Sequence, residues 1–451
     1  MLMTTARRLS GDSLAWNSLL IMATTVGTGG LGYLYWMLAA RTVPPDQVGP
    51  ATALISAATA VSMVANLGAG HMFIQRLPGT DTGSWSRIVG AGLFAGSVAT
   101  VATAAVTAMV VPALSGNFAF LSGAGATTAL IATAVAVTLT TLLDNLYVAH
   151  RAGPGMLLRN LAVSGGKIVA LAGVLAAGFH GAVAVLLSWT VPALVISLVT
   201  IVAALGRLRP GVRARLTGLR AELPHLRAAL TGHHLINLTQ AGPAALLPVL
   251  VTARLGADAN AHFYLAWMTA SMLFMVSPAV ASALYAERTN AAQVTVTRAA
   301  VVVAAVVGGP AIALLAGGDL VLGLFSTAYA TEGGTLLRFL VLAAIPDAVA
   351  NLAVAHWRSR GEFRLCRRLN LIRAVTCLVL AWLLLPTHGV TGAGLAWLAG
   401  QTAAALLVVA GLDRKAATTG AMANERVPTA YPVGSRSGSK PAASPRPGET
   451  R

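Results

Sequence analysis

Between Arg159 and Arg207 the chain carries one formal charge, Lys167, in the run RNLAVSGGKIVALAGVLAAG. An ammonium among apolar residues can contact a phosphate or a sugar hydroxyl in a wet cavity, or serve a structural ion pair. SGGK is not a phosphate-binding loop: position 161 is Leu where that motif needs Gly, and Ile168 replaces its Ser or Thr. Gly165 and Gly166 suit close helix approach instead. Asp347 is the acidic counterpart. It follows Pro346 in AAIPDAVANLAVAHW and shares a helical face with Asn351. Such a carboxylate can couple transport to protons, bind Na⁺, or pair with Lys167.

Other polar residues recur inside apolar stretches. His234, Asn237 and Gln240 follow one another at helical spacing in TGHHLINLTQAGPAALLP, ahead of Pro243 and Pro248. They read as a sugar-binding stripe with a gating bend at Pro243, or as helix-end hydration and interhelical hydrogen bonds. Asn17 and Asn66 are candidate contacts inside a lumen. Arg41 and Arg254 can pair with Asp46 and Asp258, touch a phosphate during release, or anchor at the surface. Asp144, Asn145, His150 and Arg151 form a candidate gate or an interfacial cap. No clustered metal-ligand spacing, no Walker A sequence and no Ser-His-Asp or paired-carboxylate arrangement stands out. The expectation is therefore a non-enzyme with no cofactor and no metal.

The elements that must position these residues are membrane spans. Of 451 residues 56% are hydrophobic and 10% charged, against about 25% charged in soluble domains. Apolar runs long enough to cross a bilayer recur from end to end. Twelve spans are expected near 16–39, 51–72, 88–111, 121–148, 157–178, 181–205, 233–253, 263–285, 297–316, 336–357, 366–385 and 390–412. The first reads as an uncleaved span rather than a signal peptide, since its apolar run is too long. The tail, 413–451, is rich in Pro, Ser, Gly and Arg and is expected to be disordered. Cys366 and Cys377 lie about 16 Å apart along one helix, too far to bridge. They read as small packing residues.

The net charge of +17 follows topology rather than nucleic acid. Of the 31 Lys and Arg, all but Arg41, Arg254, Arg338 and Lys167 fall in alternate connections and the two tails. That bias places both termini in the cytoplasm of a multi-pass protein of the cell's inner membrane. The outer connections are short, the longest spanning 317–335. The arginines of 206–232 read as an amphipathic linker on the anionic leaflet. Two segments echo each other. Arg254, Asn260, Ala266 and Ala270 stand 213 positions after Arg41, Gln47, Ala53 and Ala57. Six spans separate them, so the halves are expected to be parallel repeats about an axis along the membrane normal.

LAARTVPPDQVGPATALISAATAVSMVANLGAGHMFIQRLPG (Leu38 to Gly79) resembles the segment between the first and third spans of bacterial polysaccharide flippases. LFSTAYATEGGTLLRFLVLAAIP (Leu324 to Pro346) and LPTHGVTGAGLAWLAGQTAAALLVV (Leu385 to Val409) are similar to that family's tenth-span entry and last span. These are the Wzx-like oligosaccharide-lipid and polysaccharide exporters of the MOP superfamily, related to lipid II flippases and MATE antiporters. The resemblance runs over roughly 12–412 and rests on apolar, structural motifs. It implies two six-helix bundles that move a lipid-linked sugar by alternating access.

The expectation is thus an all-α protein: an N-terminal bundle (1–205), a basic linker (206–232), a C-terminal bundle (233–412) and a tail. Its expected task is to flip a lipid-linked oligosaccharide or polysaccharide precursor. Lys167, Asn17, Asn66, His234, Asn237, Gln240, Arg41 and Arg254 are the candidate substrate contacts, Asp347 and Asn351 the coupling site, and Asp144, Arg151 and Pro243 the gate. Membrane lipids, and glycosyltransferases or a polymerase, are the candidate partners. Two alternatives stay open: a cation-coupled multidrug antiporter of the same fold, and a scaffold or enzyme of polysaccharide assembly.

Overall fold

A chain this apolar must satisfy its backbone internally, and helices do so within each segment. The computed structural model describes residues 13–66, 68–209, 219–230, 234–289, 296–360 and 362–424, and no strand occurs among them. The N-terminal half holds α1 (Ser13–Thr42), α2 (Pro45–Ala65), short α3 (Ala69–Arg76), α4 (Thr82–Leu114), α5 (Ala124–Ala149), α6 (Gly153–Ala176) and α7 (Gly181–Val199). A single π turn, Thr200–Ala204, leads from α7 into α8 (Leu205–Leu208). After the linker helix α9 (Leu219–Ala229) come α10 (Leu235–Leu255), α11 (Ala257–Thr289), α12 (Val296–Gly323), α13 (Thr327–Ser359) and α14 (Phe363–Asn424). α14 contains the last two expected spans, joined at Gly389, where φ is 55° and ψ is −147°. Only glycine adopts that geometry freely.

Nine of the described helices are long and apolar enough to cross a membrane. One is α14, which contains the last two expected spans, and the expected spans near 16–39 and 263–285 fall on α1 and α11, 30 and 33 residues long. The packing described below lies within the unit that ends at Val408. Helix runs on to Asn424, into the segment expected to lack order, and 425–451 lie outside the described residues.

The helix ends carry the repeat. α1 ends at Thr42 and α10 at Leu255, again 213 positions apart, with Arg41 and Arg254 next to last in each. Ala53 and Ala266 are both fully buried, as are Ala57 and Ala270 to within a few per cent. α2 is the most enclosed span, and it packs on α5, α7, α10 and α11. Its Ala, Ser and Thr residues permit that close approach. At Gly49 a Cβ would stand 2.6 Å from the Ala257 carbonyl oxygen, so only glycine fits where α2 meets the start of α11.

Two expectations need correction. The apparent outer loop 317–335 is helix on both sides, α12 running to Gly323 and α13 starting at Thr327. Arg338 pairs there with Asp319 at 2.5 Å, and Gly334 leaves room for the carboxylate. The basic linker does not simply float on a lipid surface. In α9, Glu222, Leu226 and Ala229 are buried, and Glu222 pairs with Arg76. Arg209 donates to the Thr80 carbonyl at 2.6 Å. Residues 210–218 lie outside the described residues.

Candidate functional site

The halves meet chiefly where α2 packs on α11 and α10, and a cavity opens on each side of that contact, one at the seam between α1 and α11 and one at the seam between α2 and α10. The first is about 320 Å³ and is walled by α1, α6, α7 and α11. Lys167 lies about 21 Å along α6 by helical rise, and its Nζ sits 3.6 Å from the centre of the Trp189 ring. The ring face is the negative end of the aromatic quadrupole, so it suits a lysine head group without pairing it with a carboxylate. Thr25, Thr28 and Ser164 add hydroxyls, while Met268 and Met272 offer an adaptable apolar wall. Of the two glycines before Lys167, Gly166 allows a close approach, with Pro192 of α7 3.2 Å from where a Cβ would stand. Gly165 meets nothing within 4 Å.

The second cavity, about 730 Å³, lies between α2, α3, α5 and α10. It brings together Asn66, His234 and Gln240 of the expected contacts and adds Asn145, His71 and Thr141. His234 lies 3.1 Å from the Val64 carbonyl through Nε2. Pro243 is buried on the next turn of α10. Asn17 and Asn237 fall on α1 and α10, but their side chains lie outside the description. The two cavities are counterparts under the repeat. Thr25, Thr28 and Gly32 of the first correspond, 213 positions on, to Leu238, Ala241 and Ala245 of the second. Thr59 and Ser62 of the second correspond likewise to Met272 and Met275 of the first. At four of these five pairs the N-terminal half supplies a hydroxyl and the other half an apolar residue.

The acidic residues are committed elsewhere. Asp347 does not meet Lys167. It lies 3.7 Å from Arg373 on α14, and Asn351 donates to its other oxygen at 2.9 Å. Arg373 also donates to the Gln240 carbonyl at 3.1 Å, so the guanidinium ties α10, α13 and α14 together. The sequence places Arg373 at the edge of a basic connection. In the fold it is buried, ten positions into α14. Asp144 is drawn to α6 rather than to Arg151. It accepts from Arg159 at 2.6 Å and from Asn160 at 2.7 Å. Arg151 is exposed in the turn between α5 and α6, with φ of 52°. Its neighbour His150 receives the Trp85 indole N–H at 2.8 Å. Buried Arg159 and Arg373 are the functional-type residues that sequence reasoning missed. Arg373 follows Arg364, Arg367 and Arg368, and Arg159 stands close to the turn that holds Arg151, which hides them.

The seams are closed at the end where α1 turns into α2 and α10 into α11. Arg41 donates to the Leu324 carbonyl at 2.8 Å and Tyr33 to the Val321 carbonyl at 3.1 Å. Ser115 and Asn117 both donate to the Ala253 carbonyl, at 2.9 and 3.1 Å. Trp36 meets Tyr264 edge to face at 5.0 Å. The expected pairs of Arg41 with Asp46 and Arg254 with Asp258 are not among the ion pairs of the described residues. Arg254 instead stacks on Trp382, 4.3 Å from its ring centre.

No family model and no curated protein matches the chain. Solved structures do. The chain is similar to an inward-facing multidrug resistance MATE family transporter of the MOP superfamily, at 17% identity and a TM-score of 0.63 over 86% of this chain and 94% of that one. It is similar to the lipid II flippase MurJ in an inward closed conformation, at 11% identity and a TM-score of 0.70 over 88% and 87%. A third likeness is to a MOP superfamily transporter from Pyrococcus furiosus, at 16% identity and a TM-score of 0.59 over 90% and 95%, for which reverse polarity of the binding pocket suggests a different function. In its described residues, this chain shares the all-helical fold of MATE transporters and of the MurJ lipid II flippase.

Proposed function

We propose that the chain is an alternating-access flippase for a lipid-linked oligosaccharide or polysaccharide precursor. It works in the cytoplasmic membrane with both termini in the cytoplasm. One observation carries the reading: the α1–α11 cavity holds the basic side chain of Lys167, and no carboxylate lines either cavity among the described residues. A sugar phosphate crossing an apolar slab needs positive charge and hydroxyl contacts that it can leave again. Lys167 on Trp189, with Thr25, Thr28 and Ser164, is suited to that use. Asn66, His234 and Gln240 serve the sugars in the second cavity, with Asn17 and Asn237 on the same helices. Arg41 and Arg254 act at the closed end, where substrate leaves.

The same observation weighs against the multidrug antiporter. An organic cation asks for a carboxylate in the cavity, and Asp347 already faces a guanidinium. Making or breaking covalent bonds is no part of this reading, so the chain is not an enzyme. Glycosyltransferases or a polymerase would supply and consume the precursor. The test is a Lys167→Ala variant in a strain lacking the native gene. It should reach wild-type levels in the membrane, yet lipid-linked sugar should accumulate on the inner leaflet. Full complementation at matched expression would refute the assignment.

A further inference from the structure

The two cavities differ in their rings. No Trp, Tyr or Phe lines the α2–α10 cavity among the described residues, whereas Tyr35, Trp36 and Trp189 line the Lys167 cavity. Trp189 is half-buried on α7 and packs against the core that holds Tyr35, Leu171 and Val185. That core fixes the ring, and Lys167 Nζ covers a face of it, 3.6 Å from its centre. No carboxylate among the described lining residues competes for the head group. Thr25, Thr28 and Ser271 border the same space. Each donates its hydroxyl proton to a carbonyl of its own helix, at 3.2, 2.7 and 2.6 Å, so each oxygen is left to accept.

A phosphate offers a lysine head group charge-assisted hydrogen bonds, which are stronger than contact with a ring face. The flexible stem of a lysine lets it take them. Once Nζ leaves, the face of Trp189 is bare. A pyranose presents C–H bonds whose hydrogens carry partial positive charge, and these fit the negative face of an indole. Its hydroxyls can donate to Thr25, Thr28 and Ser271 at the rim. The cavity of about 320 Å³ lies at the lower end of the usual range for ligand sites and suits one sugar beside a phosphate. Resting on the flippase reading, we propose that Trp189 is a specificity-determining residue that reads the first sugar of the precursor. Lys167 caps its ring in the empty cavity. The substrate's phosphate draws Lys167 off, and the sugar joined to that phosphate takes the ring. A sugar without a phosphate must displace Lys167 unaided, so the two parts of the substrate assist each other.

The test uses the full chain in lipid nanodiscs and four probes: farnesyl diphosphate, farnesyl glucoside, farnesol and inorganic diphosphate. Calorimetry at neutral pH should find the glucoside about threefold tighter when inorganic diphosphate is saturating, the worth of one ring contact released. By linkage, saturating glucoside should tighten diphosphate by the same factor. Farnesol should respond to neither. Lys167→Met keeps the bulk of the stem and removes the head group. It should bind the glucoside about threefold tighter than wild type, show no further response to diphosphate, and bind farnesyl diphosphate about tenfold weaker. Adding Trp189→Leu should cancel the gain in glucoside binding. The coupling of glucoside to diphosphate needs no variant, so it decides even where Trp189→Leu fails to fold. A glucoside that ignores diphosphate, or ignores Lys167→Met, or gains equally without Trp189, overturns the exchange and leaves the flippase reading standing. Farnesyl diphosphate binding unchanged by Lys167→Met overturns both.

Discussion

Asp347 and Arg373 are each more than nine-tenths buried as side chains and lie 3.7 Å apart. Removing one partner of such a pair leaves an uncompensated charge and costs about 3–5 kcal/mol, while removing both costs much less. Arg373→Met should therefore lower the thermal unfolding midpoint in detergent well below wild type. Arg373→Met with Asp347→Asn should recover most of the loss, and an additive loss would refute the pairing. The guanidinium already does for Asp347 what a coupling cation would do. Asp347→Asn should therefore lower stability yet leave any dependence of transport on an imposed pH gradient intact, which a flux assay in proteoliposomes reads directly. Lys167 was legible in the sequence because no other charge stands between Arg159 and Arg207. Arg373 was not, because Arg364, Arg367 and Arg368 precede it and make the start of α14 look like a loop. Charge reports burial only where it is isolated.

Spacing of apolar residues placed the helices well and their ends less well. α12 and α13 continue through the glycines and polar residues of 317–335, because Asp319 finds Arg338 and the backbone stays helical. A hydropathy reading ends a span where polarity rises, whereas a helix ends where its backbone bonds do. The glycines of α1 illustrate a second limit. At Gly32 a Cβ meets nothing within 4 Å, so no packing demands glycine there; it borders the Lys167 cavity instead. Gly32→Leu should fill that cavity, leave expression and melting near wild type, and abolish binding of farnesyl diphosphate. Retained binding would show that this seam is not the anion site. At the opposite face Asp81 caps α4, accepting from Ser84 N–H at 2.8 Å. Its hydrogen bonds to Ser84 hold the carboxyl below the ordinary aspartate range. The folded value is the depressed one, so the cap's contribution is complete above the unfolded value and fades as pH falls through the folded one. Hydrogen exchange in the first turn of α4 should speed up only in that acidic window, and Asp81→Ala should speed it at neutral pH.

At the scale of the whole molecule, one end of both seams is shut, and the Lys167 cavity reaches that end at Trp36. The shut end is made of contacts between halves that are individually weak: Arg41 to Leu324, Tyr33 to Val321, Trp36 on Tyr264, Ser115 to Ala253. The two-half fold was readable from the echo of Arg41 and Arg254, because a repeat preserves helix ends better than it preserves sequence. The closure was not, since every bond in it ends on a backbone carbonyl or an aromatic edge that leaves no pattern. Each of those bonds is worth about 1 kcal/mol net, so together they can hold a state yet still be exchanged for another. Alternating access requires that exchange. The chain's own Cys366 and Cys377 are buried and free, so they are replaced by serine first. Arg41→Cys with Leu324→Cys then places one thiol on each half at this seam. A short bifunctional thiol reagent should join them and stop movement of a lipid-linked sugar in proteoliposomes, and a reductant should restore it. Single-cysteine controls treated alike should keep their rate. Full transport by the joined protein would mean that the halves do not part here, and the closed end would be a static clamp rather than a gate.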